Sequence, residues 1–206
     1  MIVGTMTSRQ DPGKTRYHHG DLRAALLAVG DELLDEGGPV AVTLREAARR
    51  LGVSATATYR HFRDRDAYLG ALAVLGFEAF GQAMNEAFQA TQARADASPL
   101  QAMGLAYVRF AVARPGRFRL MFGPAVADRS AHPALQQAIE QASLAFRCAA
   151  SAKTGPGGPT DQQAVLTMLK AWALVHGLSQ LVIDGMLPGQ EPEMLARAVL
   201  QAAPSR

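Results

Sequence analysis

The chain has 206 residues, of which 49% are hydrophobic and 19% charged, with a formal net charge of +3. That hydrophobic share excludes a disordered chain and is enough for one large or two small cores. The single cysteine, Cys148, excludes an internal disulfide. With no secretory pattern of basic and apolar residues at the start, a reducing cytoplasm is the expected setting. Cys148 itself reads as a small buried helix residue rather than a redox sensor. No window approaches about eighteen uninterrupted apolar residues, so no membrane span is expected.

Residues 1–19, MIVGTMTSRQDPGKTRYHH, lack periodicity and contain Gly4, Pro12 and Gly13, the pattern of a flexible arm. Arg9, Lys14 and Arg16 outnumber Asp11, which suits an arm along a DNA backbone or minor groove and equally a frayed terminus with incidental charges. His18 and His19 are adjacent and do not converge on one ion, so neither a metal nor a cofactor is predicted. From Asp21, the spacing of Leu22, Ala25, Leu26, Val29 and Leu33 predicts an amphipathic helix that ends at Gly37-Gly38-Pro39.

The next stretch, TLREAARRLGVSATATYRHF from Thr43 to Phe62, predicts two short helices around a tight turn. Leu44, Ala47, Ala48 and Leu51 share one face, and Thr43 with Glu46 has the S/T-x-x-E spacing of a capping box. Gly52 stops the first helix and Ser54 caps the second. In the second, Ala55, Thr58 and Phe62 fall on one side, and Thr56, Tyr59, Arg60 and Arg63 on the other. Between Thr43 and Arg65, six arginines against Glu46 and Asp64 leave +4 in 23 residues, more than the total of the whole chain. Guanidinium forks and hydroxyls on an exposed helix face suit phosphates and base edges, as in a helix-turn-helix with its second helix in the major groove. An αα-hairpin with a solvated basic face is the plain alternative.

After Asp64, a long helix is expected over about 65–97, with Tyr68, Leu69, Leu72, Leu75, Phe77, Phe80, Met84 and Phe88 on more than one stripe. Further helices are expected from Pro99 to about Ala113, from Phe118 to Phe122, and from about Pro133 to Lys153. Two more follow, from Asp161 to Ile183 and from Glu191 to Ala202. The segment Gly155-Pro156-Gly157-Gly158-Pro159 lacks the strand and the Lys-Ser/Thr ending of a phosphate loop. The fold class is therefore all-α: a three-helix headpiece plus a helical bundle. The 161–183 helix is apolar on more than one face, which predicts homodimerisation through it and the 191–202 helix.

The run Leu44-Arg45-Glu46-Ala47-Ala48-Arg49-Arg50-Leu51-Gly52-Val53-Ser54, then Tyr59-Arg60-His61-Phe62 and Arg65 before Tyr68-Leu69, resembles the headpiece of the TetR family of bacterial transcriptional regulators. In the C-terminal part, Arg114-Pro115-Gly116-Arg117-Phe118-Arg119-Leu120-Met121-Phe122 and Trp172 followed by His176-Gly177 look like the branch named for its Trp-His-Gly motif. The resemblance implies that Arg45, Thr56, Tyr59 and Arg60 face bases or nearby phosphates, while Thr43, His61 and Arg65 hold the backbone of a double-stranded DNA operator, with Ser54 also at the DNA-binding surface. Where the family often has a polar or basic residue and a threonine, this chain has Ala55 and Ala57, small groups suited to thymine methyls. It implies a DNA-binding unit over residues 20–66 and a ligand-binding and dimerisation unit over 67–206.

It also implies an effector pocket in the second unit. Phe80, Met84, Met103, Tyr107, Phe110, Phe118, Met121, Phe122, Trp172 and His176 are available to line it, and they suit an apolar small molecule. Each is equally a residue of plain core. Trp172 and His176, one turn apart, present their N–H groups either to a ligand or to backbone carbonyls. The expected function is a sequence-specific, ligand-responsive repressor. The alternatives are a nonspecific architectural DNA binder and, given scattered histidines and no nucleophile elbow, less readily a helical-bundle enzyme or ligand carrier.

Overall fold

The computed structural model describes residues 21–92, 97–151 and 161–202, and every regular element among them is helical. The 1–19 arm, with His18 and His19, and the 155–159 loop lie outside the described residues. The helices are α1 (Leu22–Gly37), α2 (Leu44–Leu51), α3 (Ala55–Tyr59), α4 (Arg65–Gln92), α5 (Pro99–Ala113), α6 (Pro115–Phe122), α7 (Pro133–Ser151), α8 (Asp161–Ile183) and α9 (Pro192–Ala202). Short 3-10 turns stand at Pro39–Ala41 and Arg129–Ala131.

Two elements differ from expectation for local reasons. Helix α3 stops at Tyr59 instead of running on to Phe62, because the N–H groups of His61 and Phe62 both turn back to the carbonyl of Thr58. Asp64 then caps α4 by accepting from the Ala67 amide at 2.8 Å. Helix α6 begins at Pro115 rather than Phe118: proline breaks a helix it falls within but fits the first position of a new one. Two side chains also depart from their expected burial, since Leu75 and Cys148 are exposed.

Helix α4 is the axis of the fold, packing most extensively on α7 and α5 and also on α6 and α1. One continuous apolar core runs from Leu26 and Leu33 in α1, through Tyr68 and Leu72 in α4, to Met103, Phe118 and Ala142 in the bundle. Tyr68 is fully buried, and its hydroxyl donates to the carbonyl of Leu26, which satisfies the only polar atom that its ring carries into that core. A second, smaller cluster of Val108, Leu178 and Ala196 joins α5, α8 and α9, and Arg109 pairs with Glu193 across α5 and α9 at 2.9 Å.

Helix α6 lies against α1. A side chain at Gly116 would put its Cβ 1.8 Å from the carbonyl oxygen of Leu34, so only glycine allows this approach. It brings Arg117 Nε to 2.9 Å from Asp31, and Arg114 to 3.0 Å from Asp31 and 2.7 Å from Asp35. On the other side Arg119 donates to the carbonyl of Ile183 at 2.8 Å and to Asp184 at 2.9 Å, which ties α6 to the end of α8.

By length and composition alone, α4 and the Val165–Ile183 part of α8 are each long and apolar enough to cross a membrane, a test that core helices also pass. Half of the relevant window of α4 is buried inside the protein, but only 17% of that of α8. Val165, Leu166, Leu169, Trp172 and Leu181 are large apolar side chains left exposed along α8.

Gly116→Ala is expected to destabilise the protein by about 3 kcal/mol, the upper range for overpacking against an atom that cannot move away. Urea unfolding followed by far-UV circular dichroism measures it, and an unchanged midpoint would mean that α1 and α6 are not seated on each other.

Candidate DNA-reading face and ligand cavity

The α2–turn–α3 unit is held by its caps. Thr43 Oγ1 accepts the Glu46 amide at 3.1 Å, and Ser54 Oγ accepts the Ala57 amide at 3.2 Å. Gly52, at φ 67°, makes the left-handed turn between them. The capping box is only half formed. The Glu46 carboxylate, instead of reaching back to Thr43, takes Arg49 at 2.6 Å and Arg50 at 3.1 Å, and Arg50 also bonds Glu36 at 2.7 Å. These guanidinium hydrogen bonds hold the Glu46 carboxyl down at about 2 and lower that of Glu36. Underneath, Thr58 is buried and donates to the carbonyl of Ala55 at 2.7 Å, while Phe62 packs 4.9 Å from the ring of Tyr68.

The arginines of this unit are not equivalent. Arg49 and Arg50 are engaged as above, Arg63 pairs with Asp64 at 3.0 Å, and Arg65 donates to the carbonyls of Val42 at 2.8 Å and Pro39 at 2.5 Å. Arg45 and Arg60 are exposed and have no partner among the described residues. Thr56, Tyr59 and His61 are exposed beside them, as is Ala55, while Ala57 is half-buried. Of the residues singled out from sequence, Thr43 and Ser54 thus serve as caps and Arg65 braces the loop before α2. Arg45, Thr56, Tyr59, Arg60 and His61 form an outward polar surface.

A cavity of about 370 Å³ lies in the bundle, within the range of small-molecule sites. Phe77 and Phe80 of α4, Tyr107 of α5 and Phe122 of α6 form one side. Ile139, Ala142, Ser143 and Phe146 of α7 face Met168, Leu169, Trp172 and His176 of α8, and Arg129 enters from the turn before α7. Phe80 organises the aromatic wall, meeting Tyr107 edge-on at 5.1 Å and Phe122 at 5.9 Å. Of the residues expected to line a pocket, Phe80, Tyr107, Phe122, Trp172 and His176 do so. Met84, Met103, Phe118 and Met121 are instead sealed in the core, because their turns of helix face neighbouring helices. Phe110 packs edge-on against Phe80 without joining the lining.

Trp172 and His176 bond neither to backbone carbonyls nor outward, but to Tyr107. The indole N–H of Trp172 donates to the Tyr107 hydroxyl at 3.2 Å, and that hydroxyl lies 2.9 Å from His176 Nδ1. Since indole only donates, the hydroxyl accepts from Trp172 and keeps its own proton available for the imidazole. Burial lowers the pKa of His176 and keeps its ring neutral, and burial raises that of the Tyr107 phenol.

Sequence reasoning left out Phe77, Met168 and Leu169, the α7 wall and Arg129. The i, i+3, i+4, i+7 spacing of Ile139, Ala142, Ser143 and Phe146 marks one face of α7 and was readable, whereas a lone arginine in a polar turn carries no such signal. Among the described residues no group of three or more His, Cys, Asp or Glu side chains is placed to hold a metal ion.

Residues 26–72, the headpiece with the start of α4, match the family described as bacterial regulatory proteins, tetR family, and residues 100–203 match the tetracyclin repressor-like C-terminal domain. The chain belongs to the TetR family. An HTH-type transcriptional regulator of Mycobacterium tuberculosis is 29% identical over 121 residues, 59% of this chain and 52% of the relative, so the chain matches about half that relative's length. A protein of unknown function from Rhodococcus sp. RHA1 is 34% identical, with a TM-score of 0.77 over 91% of this chain and 96% of that one. The TetR family regulator PfmR from Thermus thermophilus shares the fold, with 17% identity and a TM-score of 0.63 over 87% of this chain and 98% of its own. The family is one of bacterial regulatory proteins, and the curated relative is an HTH-type transcriptional regulator.

The Glu46 pairing predicts a pH signature. A carboxyl with a folded pKa of about 2 against an ordinary 4.5 stabilises the fold in full above 4.5, and loses that contribution as pH falls through about 2. The melting temperatures of wild type and Glu46→Gln are expected to differ at neutral pH and to converge as pH is lowered from about 4.5 to about 2. Parallel curves would show that Glu46 contributes no charge pairing.

Proposed function

We propose that this TetR-family regulator is a repressor that binds a palindromic operator as a homodimer and leaves it when a small, mostly apolar effector fills the bundle cavity. The observation that carries the reading is on α6. Phe122 at one end lines the cavity and Gly116 near the other is seated on α1 of the headpiece. An effector that favours one position of Phe122 therefore favours one position of α1, and the equilibrium between DNA-competent and DNA-incompetent states shifts by the ligand's differential affinity for them. Helix α4, which contributes Phe77 and Phe80 to the same wall, moves with it.

In this reading residues 20–66 are the DNA-binding unit, 67–206 bind ligand and dimerise, and 1–19 add basic charge along the duplex. Arg45, Thr56, Tyr59 and Arg60 face bases and adjacent phosphates. Ala55 and Ala57 approach thymine methyls, while Thr43, Ser54, His61 and Arg65 keep the backbone in register. The exposed apolar stripe of α8, with α9 beside it, is covered by a second copy, so that two heads about one duplex turn apart, roughly 34 Å, read the two half-sites. The place of action is the bacterial cytoplasm.

Selection of DNA from a random pool tests the whole: a palindromic consensus is expected, and a flat preference governed by salt alone would leave a nonspecific DNA binder. On the selected operator, Arg60→Ala is expected to lose about 1–3 kcal/mol of affinity at fixed salt, and an unchanged gel-shift titration would remove Arg60 from the reading face. The double variant Val165→Asp, Leu166→Asp is expected to sediment as a monomer and to bind a full operator far more weakly. A persisting dimer would place the interface elsewhere.

A further inference from the structure

We infer that the effector is an organic anion: an aromatic or aliphatic body in the aromatic part of the cavity, with a carboxylate or similar acid group on Arg129. The inference rests on the reading of the cavity as the effector site. Arg129 carries the one formal charge among the described lining residues. Its Nη2 donates to the carbonyl of Gly123 at 2.9 Å, and it has no other partner among the described residues. A guanidinium has five N–H donors in a fork that matches a carboxylate, so most of its capacity is unused.

The contrast with the other half-buried arginines is what makes this informative. Arg50, Arg114 and Arg117 each sit on a carboxylate: Glu36 and Glu46, Asp31 and Asp35, and Asp31. That is the ordinary requirement for a cation taken partly out of water. Asp128, its neighbour in sequence, and Asp66, the partner of His132, are both committed elsewhere. Asp128 accepts from the amide and hydroxyl of Ser130 at 2.9 and 2.6 Å, and Asp66 takes His132 at 2.7 Å and the Ala127 amide at 3.0 Å. The protein thus leaves at the cavity wall a positive group that a ligand anion would complete. The imidazole of His176 adds a second hydrogen-bonding group to the lining, and the described lining residues include no carboxylate to receive a cationic ligand.

Trp172 is the only tryptophan in the chain and lines the cavity, so its fluorescence reports occupancy. The test titrates the full chain with three probes of one skeleton: 6-phenylhexanoate, 6-phenylhexanamide and 6-phenylhexylamine. The acid is expected to bind roughly tenfold tighter than the amide, the difference between a charge-assisted and a neutral hydrogen-bonded pair, with the amine weakest. In Arg129→Gln, which keeps a polar side chain without the charge, the acid should fall to the level of the amide while amide binding is unchanged. Arg129→Lys should keep most of the preference. An amide or amine that binds as well as the acid overturns the inference but leaves the cavity a ligand site, as does an acid preference that survives Arg129→Gln. Failure of all three probes to bind overturns both the inference and the effector reading beneath it.

Discussion

The contact of Gly116 with the carbonyl of Leu34 is the constraint on which the rest of the arrangement depends. Without that approach, Arg114 and Arg117 would not reach Asp31 and Asp35, and α6 would not lie between α1 and the bundle core. The remaining side chains of α6 then have fixed duties. Phe118, Leu120 and Met121 are sealed in the core, Arg119 holds the end of α8, and Phe122 faces the cavity. A helix of eight residues tied in this way has little freedom to flex internally, so displacement at one end is carried to the other. The ion pair between Arg117 and Asp31 is partly shielded, with side chains 16% and 26% exposed. Pairs of that kind contribute less to net stability than to geometry, because separating them strands a half-buried charge.

The interior behind α6 combines two kinds of order. Aromatic rings meet edge to face around Phe80, the arrangement their quadrupoles favour, so the wall holds its shape without a ligand to prop it. Across it runs the hydrogen-bonded series from Trp172 through Tyr107 to His176, which joins α5 to α8. The polar atoms of this otherwise apolar pocket are mostly spent on one another, so orientation of a bound molecule falls to the few donors that remain.

Local signals in the chain were enough to read the headpiece. Thr43 and Ser54 as caps, and Gly52 as the stop between them, are short-range chemistry, and the structure uses each of them as such. The same logic misjudged Pro115, because a proline that ends one helix is locally indistinguishable from one that starts the next. It also credited Glu46 with closing a capping box when two arginines at i+3 and i+4 compete for its carboxylate and win. The cavity was legible only by halves. Periodicity places aromatic residues on helix faces, but whether a face meets a neighbour, as at Met103 and Phe118, or a void, as at Phe80 and Phe122, is set by packing between distant helices. Tyr107 and Trp172, 65 residues apart, illustrate the same limit.

Helix α3 has five residues, too few to be stable alone, and is kept in shape by Ser54 at one end and by Thr58 and Phe62 beneath. Thr56 and Arg60 on its outward side make no contact that the fold relies on. Folding and reading are therefore assigned to different residues of the same turn and a half of helix. New binding preferences are free to arise on the outer surface by substitution without eroding stability, and the scaffold beneath holds whatever alphabet is written on it.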